Sequence, residues 1–540
     1  MNKLFKRLVQ KRGLSSGFLM PRYEELADPW ELPDMEKAVE RIIGAIERGE
    51  KILIYGDYDA DGVTAAIVMY DALKLAGVKE VGIMLPDRVK DGYGMSKRLV
   101  ERAEKDGVGL VVTVDCGSRN SEIIEELAER GVDTVVTDHH ECGEELPKAV
   151  AVVNPKRKDC EVMKELAGVG VAFMVARALQ EKGLIPEGQE KWMLDLVCIG
   201  TICDQMKIEK ENRQLTYWGC KVIERTRRRG LRELMRLARM KPRKVTGEDI
   251  GFRIGPRINA AGRMASAEVA LKLLMTEDSA EAARLAAELE NLNVERKKQQ
   301  EAAVKEIASG GDFSDDKVIV TTGEWHEGVL GIIAGKLVEK YHKPAFVLAR
   351  TETCDGDYIY KGSGRSFGDF SLAEALGVVS EVIIGGGGHK EAAGVKVMGR
   401  KLLEFSEGLN KYYGSLGLIN QEKYLKCDYD IEAEDFSDLD EELVSEMGEL
   451  EPFGNGNEEP VFLLRDALVL STRKMGAEGQ HIKWLLRDEK GAKFSVVAFF
   501  AKEKWLEVGE GMRRDFLVTV MENEWNGVKS VEGRVKEIRG

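Results

Sequence analysis

Three short apolar runs early in the chain each end on an aspartate, and this pattern limits the fold more than any other feature. Lys51–Tyr55 leads into Gly56-Asp57-Tyr58-Asp59-Ala60-Asp61-Gly62, Leu110–Val114 leads into Asp115-Cys116-Gly117, and Thr134–Thr137 leads into Asp138-His139-His140. A fourth run, Val81–Leu85, falls between the first two. Runs this short and this apolar predict strands buried on both faces. The amphipathic stretches Val63–Ala76, Lys97–Asp106 and Ser121–Arg130 predict helices between them. Strand–helix alternation of this kind implies a parallel, doubly wound α/β sheet. Such sheets carry their functional groups just beyond the carboxyl ends of the strands, where these aspartates stand.

The chemistry follows from charge. If the segment after Tyr55 stays extended, Asp57, Asp59 and Asp61 project to one side. Three carboxylates so close repel one another unless cations lie among them. Oxygen ligands suit Mg²⁺, Mn²⁺ or Ca²⁺. A helix–loop–helix calcium site begins with the same D-x-D-x-D-G spacing but needs Glu at position 12; counted from Asp57, that position is Val68, and a strand precedes. Two of only six histidines sit together at the third strand end, and mixed carboxylate and imidazole ligands suit Mn²⁺. Asp204, after the apolar run Leu194–Ile202, has no meaning by itself.

Length and composition bound the remainder. At 540 residues the chain predicts about three or four domains. A helical lead-in occupies 1–50, a first α/β domain 51–275, a long helix within 276–312, a second, smaller α/β domain 313–415, and a β-rich domain 420–540 that reads as a small barrel. Asp278–Ala308 has no Gly or Pro, and Gly310-Gly311 ends it. No run reaches the ~18 apolar residues of a membrane span, and the basic N-terminus lacks the apolar stretch of a secretory signal. Eight cysteines without a Cys-x-x-Cys pair suggest a reducing, cytoplasmic setting. The net charge of −14 argues against a protein that coats DNA, so a nucleic-acid site has to be a local basic patch. Arg225–Lys244, with ten Lys/Arg and one acid, is either that patch or a solvated helix face, and the sequence favours neither.

The set Asp57-Tyr58-Asp59-Ala60-Asp61-Gly62, Val114-Asp115-Cys116-Gly117, Asp138-His139-His140 and Gly200-Thr201-Ile202-Cys203-Asp204 resembles the four motifs of the DHH phosphoesterase superfamily. Further stretches, among them Pro86-Asp87-Arg88, Arg257-Ile258-Asn259-Ala260-Ala261-Gly262-Arg263, Lys361-Gly362-Ser363-Gly364-Arg365, Gly387-Gly388-His389 and Glu451-Pro452-Phe453-Gly454, are similar to its branch of single-strand-specific 5′→3′ exonucleases of DNA repair and recombination. The resemblance implies a DHH catalytic domain, a DHH-associated domain and an OB-fold-like domain. It implies two divalent ions, Mn²⁺ or Mg²⁺, on Asp59, Asp61, Asp115, His139 and Asp204, with Asp115 bridging and Asp57 beside them. By the same resemblance His140 contacts the scissile phosphate, Arg88, Arg263, Ser363 and Arg365 hold phosphates near the 5′ end, and His389 faces the substrate from the second domain. The implied substrate is single-stranded DNA, with a single-strand-binding protein or a helicase as partner, no membrane, and a monomeric chain. Trp484, Phe499, Phe500, Trp505 and Trp525 are candidate stacking residues. Two departures stand out: Tyr55 occupies a position where many relatives have His, and Gln205-Met206-Lys207-Ile208 follows Asp204. Rival readings are an enzyme for short oligonucleotides, cyclic dinucleotides or pyrophosphate, an RNA-degrading enzyme, and a replication scaffold without catalysis.

Overall fold

The computed structural model describes the chain except residues 89–90, 93, 241–243, 355–356, 419–426, 477–478 and 526, together with the side chains of 352–354 and 525. The basic run therefore lies partly, and the Trp525 side chain wholly, outside the described residues. The first sheet has five parallel strands, β1 (Ile52–Tyr55), β2 (Val81–Met84), β3 (Leu110–Val114), β4 (Asp133–Thr137) and β5 (Ala151–Val153), in the order β2-β1-β3-β4-β5. The Ala60–Leu75 helix packs on one face and the Lys97–Asp106 and Ser121–Glu129 helices on the other, with a separate apolar cluster on each side. β1 and β3 are neighbours whose connections leave in opposite directions, and a crevice opens beyond their carboxyl ends at such a switch point. The short strand β5 was not anticipated; its three residues at the sheet edge make a run too short to stand out beside the longer apolar runs, although Asn154-Pro155 marks a turn after it.

The Ser279–Gly310 helix, started by Asp278 accepting from the Ala280 and Glu281 amides, runs about 48 Å at 1.5 Å per residue. Its first half packs on the helices of the first domain through Ala282, Leu285 and Leu289, and its end enters the second domain through Ala303 and Ile307. That domain is a mixed sheet of β6 (Ile319–Gly323), β7 (Ala345–Cys354), β8 (Asp357–Arg365), β9 (Gly385–Gly388) and β10 (Ala392–Met398), ordered β6-β7-β8-β10-β9. The last domain comprises β11 (Ile431–Glu432), β12 (Phe462–Met475), β13 (His481–Arg487), β14 (Lys493–Ala498), β15 (Arg513–Trp525) and β16 (Val528–Arg539); β12 pairs with both β13 and β15, which closes a five-stranded barrel. No helix among the described residues is long and apolar enough to cross a membrane.

The N-terminal span has two destinations. The Met35–Arg48 helix covers the core of the first domain, whereas the Lys3–Arg12 helix buries Leu4, Phe5 and Leu8 in the barrel core. Arg12 Nε meets Asp430 at 2.7 Å and secures that docking. Arg213 joins the barrel's approach segment to the first domain: it is 2% exposed and donates to the carbonyls of Phe18 (3.0 Å), Glu449 (2.8 Å), Leu450 (3.1 Å) and Glu451 (2.7 Å). Burial lowers its guanidinium to about 10. Losing one buried partner costs about 1–3 kcal/mol per stranded polar group. Arg213→Met is expected to lower stability by about 3 kcal/mol or more on this basis. Urea unfolding followed by tryptophan fluorescence checks it, and a change under about 0.5 kcal/mol, the size of a neutral surface substitution, would show that the anchor is dispensable.

Candidate metal centre

The three aspartates after β1 do not lie on one extended segment, as the sequence reading assumed. The helix begins at Ala60, earlier than expected, because Asp59 caps it: its Oδ1 accepts from the amides of Asp61 (2.9 Å) and Gly62 (3.1 Å). Asp57 remains on the strand exit, Asp59 is the cap, and Asp61 sits in the first helical turn. They still converge with the other motifs. Asp57, Asp59 and Asp115 each offer an oxygen within 4.8 Å of one another; carboxylate oxygens and ring nitrogens come equally close in the set Asp61, His139 and Asp204 and in the set Asp115, His139 and His140. Asp204 arrives as the C-cap of the Leu194–Cys203 helix. Asp115 has φ 60°, a left-handed conformation that costs about 1–3 kcal/mol for a non-glycine residue and turns its carboxylate into the cluster.

Asp57, Asp61, Asp115 and His139 are buried. Burial, then the charge of Asp59, pushes Asp57 up to about 8 and Asp61 to about 7; Asp115 and Asp204 are raised by burial and by Asp61. His139 is lowered to about 3 by burial and by His140. It hydrogen-bonds the Leu166 backbone, and its Nε2 has no partner, so the proton resides on Nδ1 and Nε2 presents a lone pair. That lone pair lies 3.1 Å from Asp115 Oδ1, itself buried without a partner, and 3.5 Å from Asp204 Oδ2. Two buried ligand atoms this close, without a hydrogen-bond partner of the ordinary kind, fit a divalent cation that takes the place of the proton the metal-free carboxyl keeps. Asp138 has a different duty. It accepts from the amides of Ser118 (2.9 Å), His139 (2.7 Å) and His140 (3.1 Å) and from His140 Nδ1 (2.9 Å). Burial opposes its charge, but His140 outweighs that and holds Asp138 at about 2; burial likewise opposes His140's charge, but Asp138 raises it to about 9.

Arginines gather beside the carboxylates. Arg88 lies over the Tyr58 ring at 4.8 Å. Arg263 is lowered to about 9 by burial and then by Arg88, with Arg365 and Arg296 adding to the effect. Arg365 bonds Ser363 Oγ (3.3 Å) and the Gly364 carbonyl (2.8 Å). Arg88, Arg263, Ser363 and Arg365 thus assemble from two domains, whereas His389 stands at the exposed β9–β10 turn and belongs to none of the candidate metal groups among the described residues. Tyr55 is turned away: its hydroxyl donates to Gly94 O at 3.0 Å inside the opposite core. Of the candidate stacking residues, Trp484 and Trp505 are core, while Phe499 and Phe500 are 51% and 77% exposed beside His481.

Sequence reasoning missed three contributors. Gly168 and Gly200 leave room for the cluster, since a Cβ would stand 2.6 Å from Asp115 Oδ1 at the first and 2.6 Å from Asp61 Oδ1 at the second. The Gly168 and Val169 amides also hold Asp61 at 2.7 and 2.9 Å. Arg296, on the long helix, is 9% exposed, bonds only Asn293 and Gln300 among the described residues, and keeps a buried Nε without a partner. Helical periodicity makes it look like one more charged residue on a polar helix.

The sheet, the mixed second domain and the acidic cleft between them define a DHH-type chain. The model of the DHH family, N-terminal domain, matches residues 51–201, that of the DHHA1 domain 315–415, and that of the RecJ OB domain 429–537. The single-stranded-DNA-specific exonuclease RecJ of Bacillus subtilis (strain 168) is 36% identical over 99% of this chain and 67% of its own length. Two crystal structures of RecJ from Thermus thermophilus superpose on the whole chain and about three quarters of theirs: the Mn²⁺ complex with a TM-score of 0.84 at 30% identity (76%), and the Mg²⁺ complex with 0.79 at 28% (75%). The chain belongs to the RecJ family, and its carboxylate–imidazole cluster is a metal site for ions of the Mn²⁺ and Mg²⁺ class.

The raised carboxylates fix the pH response. Unfolded aspartate titrates near 3.9, so between about pH 4 and pH 8 the metal-free fold keeps protons that the unfolded chain has lost. Stability from this source is complete below about pH 4 and falls as pH rises toward 8. Metal binding replaces those protons, so the gain in melting temperature on adding Mn²⁺ to EDTA-treated protein is expected to be larger at pH 8 than at pH 5.5. Thermal melts at both pH values check it; a larger gain at pH 5.5 would contradict the protonation pattern.

Proposed function

We propose that the chain degrades single-stranded DNA from its 5′ end, hydrolysing one phosphodiester bond per step on two divalent ions. As a member of the RecJ family it is a metal-dependent, single-stranded-DNA-specific exonuclease. The observation that carries the reading is the buried, unpartnered pair His139 Nε2 and Asp115 Oδ1 at 3.1 Å, ringed by Asp57, Asp59, Asp61 and Asp204.

In this reading Asp59, Asp61, Asp115, His139 and Asp204 would hold the ions, with Asp57 beside them. Bound there, divalent cations lower the pKa of an attacking water and offset charge on the phosphate oxygens. Asp138 keeps His140 cationic at neutral pH, so His140 donates to the scissile phosphate. Arg88, Arg263, Ser363 and Arg365 grip the phosphate at the 5′ end, and Arg296 adds its unused Nε donor behind them. The water oxygen joins phosphorus, the 3′-oxygen of the terminal nucleotide leaves with a proton, and the strand keeps a new 5′-phosphate that refills the arginine pocket. His389 approaches from the second domain when the strand is bound. Exposed Phe499 and Phe500 stack bases on the barrel.

The five segments named from the sequence serve as lead-in, catalytic domain, connecting helix, closing domain and strand-binding barrel. The work belongs to repair and recombination in a reducing cytoplasm, consistent with seven free cysteines among the described residues. A monomer that hands its strand to or from a single-strand-binding protein or helicase suits it. The intact cluster speaks against a scaffold without catalysis, and the barrel speaks against a substrate of two or three nucleotides.

With Mn²⁺ and end-labelled oligonucleotides, 5′ label is expected to be released first and Asp115→Ala to abolish release; label freed only from the 3′ end would reverse the polarity. Charge-assisted hydrogen bonds contribute about 1.5–3 kcal/mol, so Arg263→Gln and Arg296→Gln are each expected to raise KM for a 5′-phosphorylated strand about tenfold or more. Steady-state kinetics checks this, and an unchanged KM for Arg296→Gln would leave that residue a purely structural part.

A further inference from the structure

The basic run Arg225–Lys244 is not accounted for by the metal cleft, and its first arginines line a cavity of about 830 Å³. The cavity lies at the far ends of two helices that carry metal-cluster residues. The Ala60–Leu75 helix brings Asp61 to the cluster and Asp71 and Lys74 to the cavity, about 15 Å apart along the axis. The Leu194–Cys203 helix starts with Asp195 at the cavity and ends at Asp204 in the cluster. The two sites are therefore separate.

One wall is fixed by an internal ion network. Arg228 Nη2 meets Asp71 Oδ2 at 2.6 Å and its Nε meets Asp195 Oδ1 at 3.3 Å, while Thr226 Oγ1 donates to Asp195 Oδ2 at 2.6 Å. One guanidinium set between two carboxylates leaves this network one negative charge in excess, and it holds the Thr226–Arg229 loop. The neighbouring cations differ. Arg227 lies 3.6 Å above the centroid of the Trp192 ring. Arg229 bonds Ser279 Oγ at 2.6 Å, and Lys74 reaches only the carbonyls of Val78 and Lys79. Among the described residues none of the three has a carboxylate partner. Trp192 and Tyr70 are half-buried and leave aromatic surface in the cavity, and Glu277 is the one lining carboxylate outside the network.

A flat aromatic–guanidinium platform beside two further cations, in a cavity of ligand size, has the chemistry that takes a nucleobase and its phosphate together. We infer that this cavity is a second nucleotide-binding site, with the base against Trp192 and Arg227 and the phosphate on Arg229 and Lys74. The nucleotide is either a free monophosphate or one unit of a strand crossing the rear of the catalytic domain.

Calorimetry on the full chain in EDTA tests this, because it needs neither metal nor catalysis and stands or falls apart from the exonuclease reading. An Arg263→Gln background removes a phosphate contact of the cleft. Into this protein, and into the same protein with Trp192→Ala or Arg227→Gln, one titrates dAMP and, separately, an end-blocked oligothymidylate. At least tenfold weaker binding of either ligand in both variants, with unchanged melting temperature, supports the site: loss for dAMP marks a free-nucleotide site, and loss for the oligomer alone marks a strand site. Affinities within twofold across all three proteins for both ligands overturn it. Since Arg227 is exposed, Arg227→Gln keeps the test valid if Trp192→Ala unfolds.

Discussion

Carboxylates forced together at the carboxyl ends of parallel strands are the constraint around which this molecule is built. Asp57, Asp61 and Asp115 are each at most 4% exposed, and like charges in such a place raise one another's pKa rather than ionise freely. The surrounding backbone holds them there. Helix N-termini supply amides to Asp59 and Asp61, where partial positive charge favours an anion. Glycines at 168 and 200 let the helices come close enough to do so. Removing these amides would leave repulsion that no apolar packing offsets, so metal affinity and fold are properties of one arrangement.

The same constraint explains why the catalytic domain was legible. Parallel strands covered on both faces read as unbroken apolar runs, and an acid after each run is conspicuous; β1 to β4 and the long helix follow the expected spans closely. The start of the first helix was misread because an aspartate can continue a strand or cap a helix, and the choice depends on Asn259, whose Oδ1 accepts from the Ala60 amide at 2.9 Å from 199 positions away. The docking of Leu4, Phe5 and Leu8 into the barrel and the reach of Arg213 to Glu449–Glu451 are equally long-range. Periodicity shows that a face is apolar and not what covers it. For the aromatics, composition could not separate Trp484 and Trp505, needed for the barrel core, from Phe499 and Phe500, which lie beyond the end of β14.

Charge is also divided between the domains. The catalytic sheet supplies the anionic floor, while Arg263 at the end of its helix and Arg365 from β8 supply a cationic wall. The junction is fixed by direct backbone contact: a Cβ on Gly328 would stand 1.9 Å from the Arg263 carbonyl, and Arg263 Nη1 donates to Gly328 O at 3.3 Å. Glu327 next to that glycine meets Lys361 at 3.2 Å, which ties the contact loop to the strand bearing Ser363 and Arg365. The spacing between floor and wall is thus set by packed backbone, with the Ser279–Gly310 helix spanning both domains behind it. Burial and then mutual charge lower the guanidiniums of the wall, just as burial and then mutual charge raise the carboxylates of the floor. Each half is electrostatically incomplete, and the two deficits have opposite sign. Cations relieve the floor, and an anion such as the phosphate of the proposed function would relieve the wall. Electrostatic preorganisation of this kind is present before substrate arrives, and it comes from the two domains meeting at a glycine rather than from either domain alone.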